Sequence, residues 1–291
     1  MAPIKLINKR TYAALTETPR PPRFKDFDDI EFGDTISKWS ICVRIEVKFA
    51  PNKYGDNIRF VLMDKTGAKI EASVWGFDEV ALFNRILQPG CKYTIHRVII
   101  SPNAESVEFR AIGHPYECHF NRITMVEPSL FIEFPILPKH LMPFSDVAKR
   151  PNKTFVDIVG IVVHCCDHDH FGRYGKYKEA VFMDVWGNLI PVGIWGLQLT
   201  RNSYLWSTAE GGNPIVIATM LEKDIKFGDL NTSDHTNVAF NPAHTAARPL
   251  HDIRQKIISG AIDMTFVQSF VERRWAFVSM VLAKRDARYR K

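Results

Sequence analysis

Apolar and polar residues alternate along SICVRIEV (40–47). Ile41, Val43, Ile45 and Val47 fall on one face, and Ser40, Cys42, Arg44 and Glu46 on the other. A period of two is that of a half-buried strand. IRFVLMD (58–64) and KIEASVW (69–75) read as two more strands, joined by a tight turn in which Gly67 supplies the positive-φ position. The spacing then becomes helical. Over 77–90, Val80, Phe83 and Leu87 share one face, and Pro89-Gly90 ends the run. CKYTIHRVII (91–100) and SVEFRAI (106–112) return to strand.

The same pattern recurs 120 residues later. RFVLMDKTGAKIEASVWG (59–76) and EAVFMDVWGNLIPVGIWG (179–196) share seven of eighteen positions, among them Asp64/Asp184, Gly67/Gly187 and Trp75/Trp195. KWSICVRIEV (38–47) pairs with TFVDIVGIVV (154–163) through alternate branched apolar residues. A period this long is a duplicated domain, not a solenoid repeat.

Three strands, a helix and two strands is the order of an OB-fold, a five-stranded Greek-key barrel. The predicted fold class is therefore all-β, with two tandem OB-folds, each carrying a helix between strands 3 and 4. The helix signal is weaker in the second copy, near LQLTRNSYLW. Residues 1–25 read as a basic disordered arm, 26–126 as the first barrel, 127–150 as a proline-bearing packed linker and 151–243 as the second barrel. Residues 244–291 read as a helix (248–260, ended by Gly260) followed by one more strand, the start of a third OB domain.

Charge changes this picture only at the ends. The formal net charge is +6, but 1–25 and 270–291 each carry +5, which leaves −4 on 26–269. A nucleic-acid reading must therefore rest on local placement and on stacking. No run of about 18 apolar residues spans a membrane, and MAPIKLINKR has no apolar core of a secretory signal. Five cysteines with no CxxC pair fit a reducing compartment. P-loop, HExxH, GxSxG and GxGxxG motifs are absent, so the expectation is a non-enzymatic chain. HCCDHDH (164–170) holds Cys165, Cys166, His168 and His170, but its spacing is not a tetrahedral zinc pattern and no metal or other cofactor is expected.

The third strand carries the most telling feature. In KIEASVW the apolar set is Ile70, Ala72 and Val74, so Trp75 points the other way. In the second copy Ile190, Val192 and Ile194 are apolar, and Trp195 again has the opposite parity. A large aromatic on the outer face of a barrel strand is a platform for an unpaired base; its alternative is a strand-end Trp tucked under the next helix. Arg44 lies on the outer face of its strand. Lys53 in the loop between the first two strands of the first copy (48–57), and Arg173, Lys176 and Lys178 in that of the second (164–179), stand where cations would meet a nucleic-acid backbone or else remain solvated.

SKWSICVRIEV, the block ending ASVWG, and FVDIVGIVV…FMD…IWG resemble the tandem DNA-binding OB-folds of the replication protein A large-subunit family, in plant-type and mobile-element-associated form, over roughly 25–260. The resemblance implies sequence-independent single-stranded DNA binding in nuclear replication, repair or recombination. It implies base stacking on Trp75 and Phe109 in the first barrel and on Trp195 and Phe227 in the second, with Arg44 and Lys223 as further backbone contacts. Single-stranded DNA is the implied partner, together with smaller subunits of a heterotrimer. The family's third domain carries zinc; its zinc cysteines are missing here, so zinc is not expected. The alternative is an OB-fold protein-interaction module that has lost nucleic-acid binding.

Overall fold

A computed structural model of the chain describes residues 22–103, 111–166, 170–172, 175–224 and 229–289. The first barrel is made by β1 (Lys38–Lys48), β2 (Asn57–Asp64), β3 (Lys69–Trp75), β4 (Lys92–Pro102) and β5 (Tyr116–Phe120). Its ring closes because β1 pairs with both β2 and β4, while β5 lies parallel to β3 and antiparallel to β4. A short β6 (Met125–Pro128) extends β4 outward. The fifth strand is thus 116–120. The expected strand at 106–112 lies mostly outside the described residues.

The second barrel closes in the same order through β7 (Phe155–Cys165), β9 (Gly175–Met183), β10 (Leu189–Trp195), β12 (Asp229–Asn231) and β11 (Ile215–Asp224). β8 (His170–Gly172) adds to β9, and β13 (Asn237–Phe240) to β11. The two chains of strands confirm the tandem OB architecture.

Strand parity sends Ile41, Val43, Ile45, Phe60, Leu62, Ile70, Ala72 and Val74 into the first core. Each Val, Leu, Ile or Phe among them contributes about 1.5–3 kcal/mol on full burial. Helix α1 (Phe77–Ile86) closes the barrel end, with Phe83 against Phe120 at 5.6 Å between ring centroids. Val47 departs from the alternation. A bulge between Ile45 and Val47 reverses its side, and it packs outside the barrel with Val61, Ile112 and Met220.

That small cluster joins the two barrels. Phe155 donates its N–H to Ala111 O (2.8 Å), and Lys69 Nζ meets Asp157 Oδ2 at 2.6 Å with both side chains largely buried. The linker is packed only in part: Leu130, Phe131 and Ile136 are exposed, whereas its far end belongs to the second core, where Phe144 and Val147, on the short helix α2 (Phe144–Val147), are buried. The weak helical signal after β10 becomes three short turns, α3 (Gly196–Arg201), α4 (Ser203–Ser207) and α5 (Ala209–Gly212), with Trp206 fully buried beneath them.

Beyond the second barrel, α6 (Arg248–Ile258) matches the helix expected there, with Gly260 at φ 72° past its end. The segment expected as the opening strand of a third barrel is instead a helix, α7 (Thr265–Tyr289). The physical reason is periodicity: Val267, Val271, Arg274 and Val278 are buried at i, i+4, i+7 and i+11. No helix among the described residues is long and apolar enough to cross a membrane.

Candidate nucleic-acid interface

Both tryptophans lie where strand parity put them. Trp75 ends β3 on the outer face and is 60% exposed. Its cross-strand partner is Asn57, and Gly76 N–H donates to Asp56 O (2.9 Å), so the indole stands beside the β1–β2 loop. That loop presents Tyr54, itself exposed, with Lys53 Nζ 4.6 Å from its ring centroid. Next to Trp75 on the same face, His119 lies between Ser73 Oγ (2.8 Å) and Ser101 Oγ (2.6 Å). His119 was not singled out from sequence, because β5 joins β3 only in the closed barrel.

Trp195 is built differently. Its cross-strand partner is Tyr177, and the rings stack with centroids 4.4 Å apart and planes at 20°. The indole N–H donates to Asn231 Oδ1 (2.6 Å), while the backbone N–H donates to Thr232 Oγ1 (2.7 Å). Gly193 is required here: a Cβ would collide with the Asn231 amide and the indole nitrogen. The ring is therefore locked in place before any ligand arrives, and its nitrogen is already used. Only a π-face remains to offer, and π-faces do not discriminate between bases. Tyr177 stood in the loop singled out from sequence; Asn231 and Thr232 gave no local signal, because they act across a parallel strand pairing.

The expected cations divide. Lys53 and Lys176 are exposed. Lys178 donates to Cys166 O (3.1 Å) at the barrel rim. Arg44 keeps its outer-face position, but its Nε meets Glu46 Oε1 at 2.5 Å and its Nη2 reaches Ile136 O of the linker (3.5 Å), so it is held by the fold rather than presented. Lys223 corrects the expectation of a backbone contact. It is buried, and its ammonium caps Val147 O (2.5 Å) and Ala148 O (2.8 Å) at the end of α2. Burial, then the neighbouring Arg150, push its pKa down. Glu71, on the outer parity of β3, is also buried: it pairs with Arg59 and accepts the Ile112 N–H (2.7 Å). Phe109, Arg173 and Phe227 lie outside the described residues.

In the cysteine-histidine segment, Cys165 and Cys166 are buried thiols, and His168 lies outside the described residues. Among the described residues no group of three or more His, Cys, Asp or Glu is arranged to hold a metal ion. His164 is instead an ion-pair partner. Its contact with the Cys166 sulfur (3.9 Å), then that with Glu210 Oε1 (3.0 Å), raises its pKa to about 10. An unfolded histidine titrates near 6.5, at about that value. The raised value makes this contact fully stabilising below that pH and lost as pH rises through about 10. Urea midpoints are expected to fall between pH 7 and 10, and His164→Gln to flatten that fall. An unchanged pH profile in the variant would show that the pair contributes nothing.

Two matched aromatic platforms on the outer faces of tandem OB barrels define the class of site. Residues 31–150 match the family described as domain of unknown function DUF223, and residues 142–231 match domain of unknown function DUF8448. Over 206 residues the chain is 27% identical to Replication factor A protein 1 of Saccharomyces cerevisiae, covering 66% of this chain and 32% of the yeast protein. It thus spans about a third of the length of that relative. Among solved structures, a replication protein A heterotrimer bound to ssDNA aligns with 81% of this chain and 56% of its own, at 16% identity and a TM-score of 0.41. DNA-binding domain A of the S. cerevisiae protein aligns at 24% identity over 38% of this chain and 96% of its own, with a TM-score of 0.29.

Proposed function

We propose that this chain binds single-stranded DNA without sequence preference, by stacking bases on Trp75 and on the Tyr177–Trp195 pair, and that it acts without catalysis. The supporting observation is the repeated placement of an indole at the end of the third strand, on the outer face, once open and once locked against a second ring. A large exposed aromatic costs hydration unless it is covered by a ligand, and OB barrels bind oligonucleotides on this strand face. Lys53 and Lys176 flank the two platforms; Arg173, Phe109 and Phe227 are further contacts in this reading. The similarity to the yeast replication factor supports a place in nuclear DNA replication, repair or recombination. Association with other subunits of such a factor belongs to the same proposal.

The test is a fluorescence anisotropy titration with oligo-dT, an RNA of equal length and a duplex. Single-stranded DNA should bind, the duplex at least about tenfold more weakly, since paired bases present no free faces. The logarithm of affinity should fall with the logarithm of salt by about 0.7 per phosphate contacted. No binding to oligo-dT at low salt would overturn the reading and leave a protein-interaction module in its place.

A further inference from the structure

The segment HCCDHDH holds one cluster that base stacking does not use. β7 ends at Cys165, whose side chain packs in the second core and whose thiol donates to Trp206 O (3.5 Å). Cys166 is outside that core, on the same parity as His164. Its Sγ lies 3.9 Å from His164 Nε2, and His164 Nδ1 lies 3.0 Å from Glu210 Oε1 on α5. The other oxygen of Glu210 accepts the Cys165 N–H, so the carboxylate is tied to the chain segment that carries the thiol. Thiol, imidazole and carboxylate thus form a relay: a nucleophile, a proton carrier within reach of it, and an anion that orients the carrier. From β9 the charges nearest Cys166 are Lys178, whose Nζ meets Cys166 O (3.1 Å), and Glu179, whose O accepts the Cys166 N–H (3.0 Å) and whose carboxylate is neutralised by Arg274 of α7 (3.1 Å). Cys166 is 7% exposed, but the His164 side chain is partly open to solvent and that of Glu210 about half. Hydrogen peroxide is little larger than water and can follow them to the sulfur.

We propose that Cys166 is a modification site, an activated thiol that hydrogen peroxide oxidises, with His164 as its proton carrier and Glu210 as the positioning residue. This site is independent of the single-stranded reading. The sulfur and Nε2 hold one proton between them, and the carboxylate on the far nitrogen draws it to the imidazole. Contact with the sulfur, then with Glu210, keeps His164 protonated up to about pH 10. In the reaction the sulfur attacks the nearer peroxide oxygen. An S–O bond forms as the O–O bond breaks, and the departing hydroxide takes the proton from His164 and leaves as water. The sulfur is oxidised by two electrons to a sulfenic acid, and the peroxide is reduced to water. The other cysteines lack this arrangement of neighbours. Cys118 and Cys165 are buried in the two cores, Cys42 Sγ stands 3.9 Å from Thr94 Oγ1, and Cys91 is exposed.

The test treats the full chain with hydrogen peroxide, quenches with catalase and denatures in dimedone and N-ethylmaleimide. Mass spectrometry then reads the sulfenic-acid adduct at each cysteine, with exposed Cys91 as the reference. At pH 6 a thiol of pKa near 8.5 is under about 1% ionised, so exposure alone gives little reaction there. Cys166 is expected to form sulfenic acid about tenfold faster than Cys91 at pH 6, and dithiothreitol to reverse it. His164→Gln should lower the Cys166 rate about tenfold and leave the Cys91 rate unchanged. Glu210→Gln should lower it by a smaller factor, since the imidazole remains; circular dichroism checks that each variant is folded. Oxidation of Cys166 no faster than that of Cys91 at pH 6 would overturn the proposal and leave a structural contact. So would a Cys166 rate unchanged in His164→Gln, or in Glu210→Gln should the first variant not fold.

Discussion

Replacing both tryptophans, Trp75→Ala/Trp195→Ala, is expected to weaken single-stranded DNA binding by roughly one and a half to four orders of magnitude. Each base stacked on an aromatic contributes about 1–3 kcal/mol, and about 1.4 kcal/mol is tenfold in affinity. The two single variants should not be equal. Trp195 is stacked on Tyr177 and tied to Asn231, so little side-chain freedom is left to lose on binding. Trp75 is 60% exposed and its cross-strand partner is Asn57, which offers no ring to stack on. Trp195→Ala should therefore fall near the upper end of the range and Trp75→Ala near the lower. Asn231→Ala should reproduce part of the Trp195 loss by unlocking the ring. At Trp75 stability separates the effects, since removing this exposed indole should change the unfolding free energy by no more than about 0.5 kcal/mol. Affinities equal to wild type in the double variant would dismiss stacking.

Asp64→Ala is expected to cost about 3–4 kcal/mol of stability, measured by urea unfolding. Asp64 is 1% exposed and ends β2. One carboxylate oxygen accepts from Thr66 N–H (2.8 Å), Thr66 Oγ1 (2.7 Å) and Ala68 N–H (3.0 Å), and so builds the β2–β3 turn. The other accepts Phe27 N–H at 2.7 Å and holds the segment before β1 against the barrel. Hydrogen bonds to a charged acceptor contribute about 1.5–3 kcal/mol each, and orphaned buried donors add a desolvation cost. Among the described residues its counterpart Asp184 serves only its own turn, through Trp186 N–H (2.9 Å) and Asn188 N–H (2.8 Å) and side chain (2.9 Å). Asp184→Ala should therefore cost less. Equal losses at the two positions would show that the tie to Phe27 contributes nothing.

Much of the site's outline was legible in the chain itself. The parity of KIEASVW and LIPVGIW separates Trp75 and Trp195 from the core residues of their strands, and both do lie outside. The fates of the charged residues were not legible. Arg44, Glu71 and Lys223 have the composition of surface groups, yet each is held by a partner distant in sequence: Ile136, Ile112 and Val147. Val47 shows the limit within a single strand, where one bulge reversed its side. RRWAFVSMVLAKRD shows no helical stripe by itself, because Val267 and Val271, the first two members of that stripe, precede it.

The alternation of apolar residues and its return after 120 positions determined two barrels and the outward direction of an indole in each. These are local properties, set by the period of two that the extended backbone imposes on successive side chains. Only the tertiary structure decided what lies beside each indole. Tyr177, Asn231 and Arg274 of α7 reach Trp195 or its neighbouring rung through strand pairing and helix packing. Such contacts form between residues far apart in the chain, where the pattern along the sequence holds no record of who meets whom.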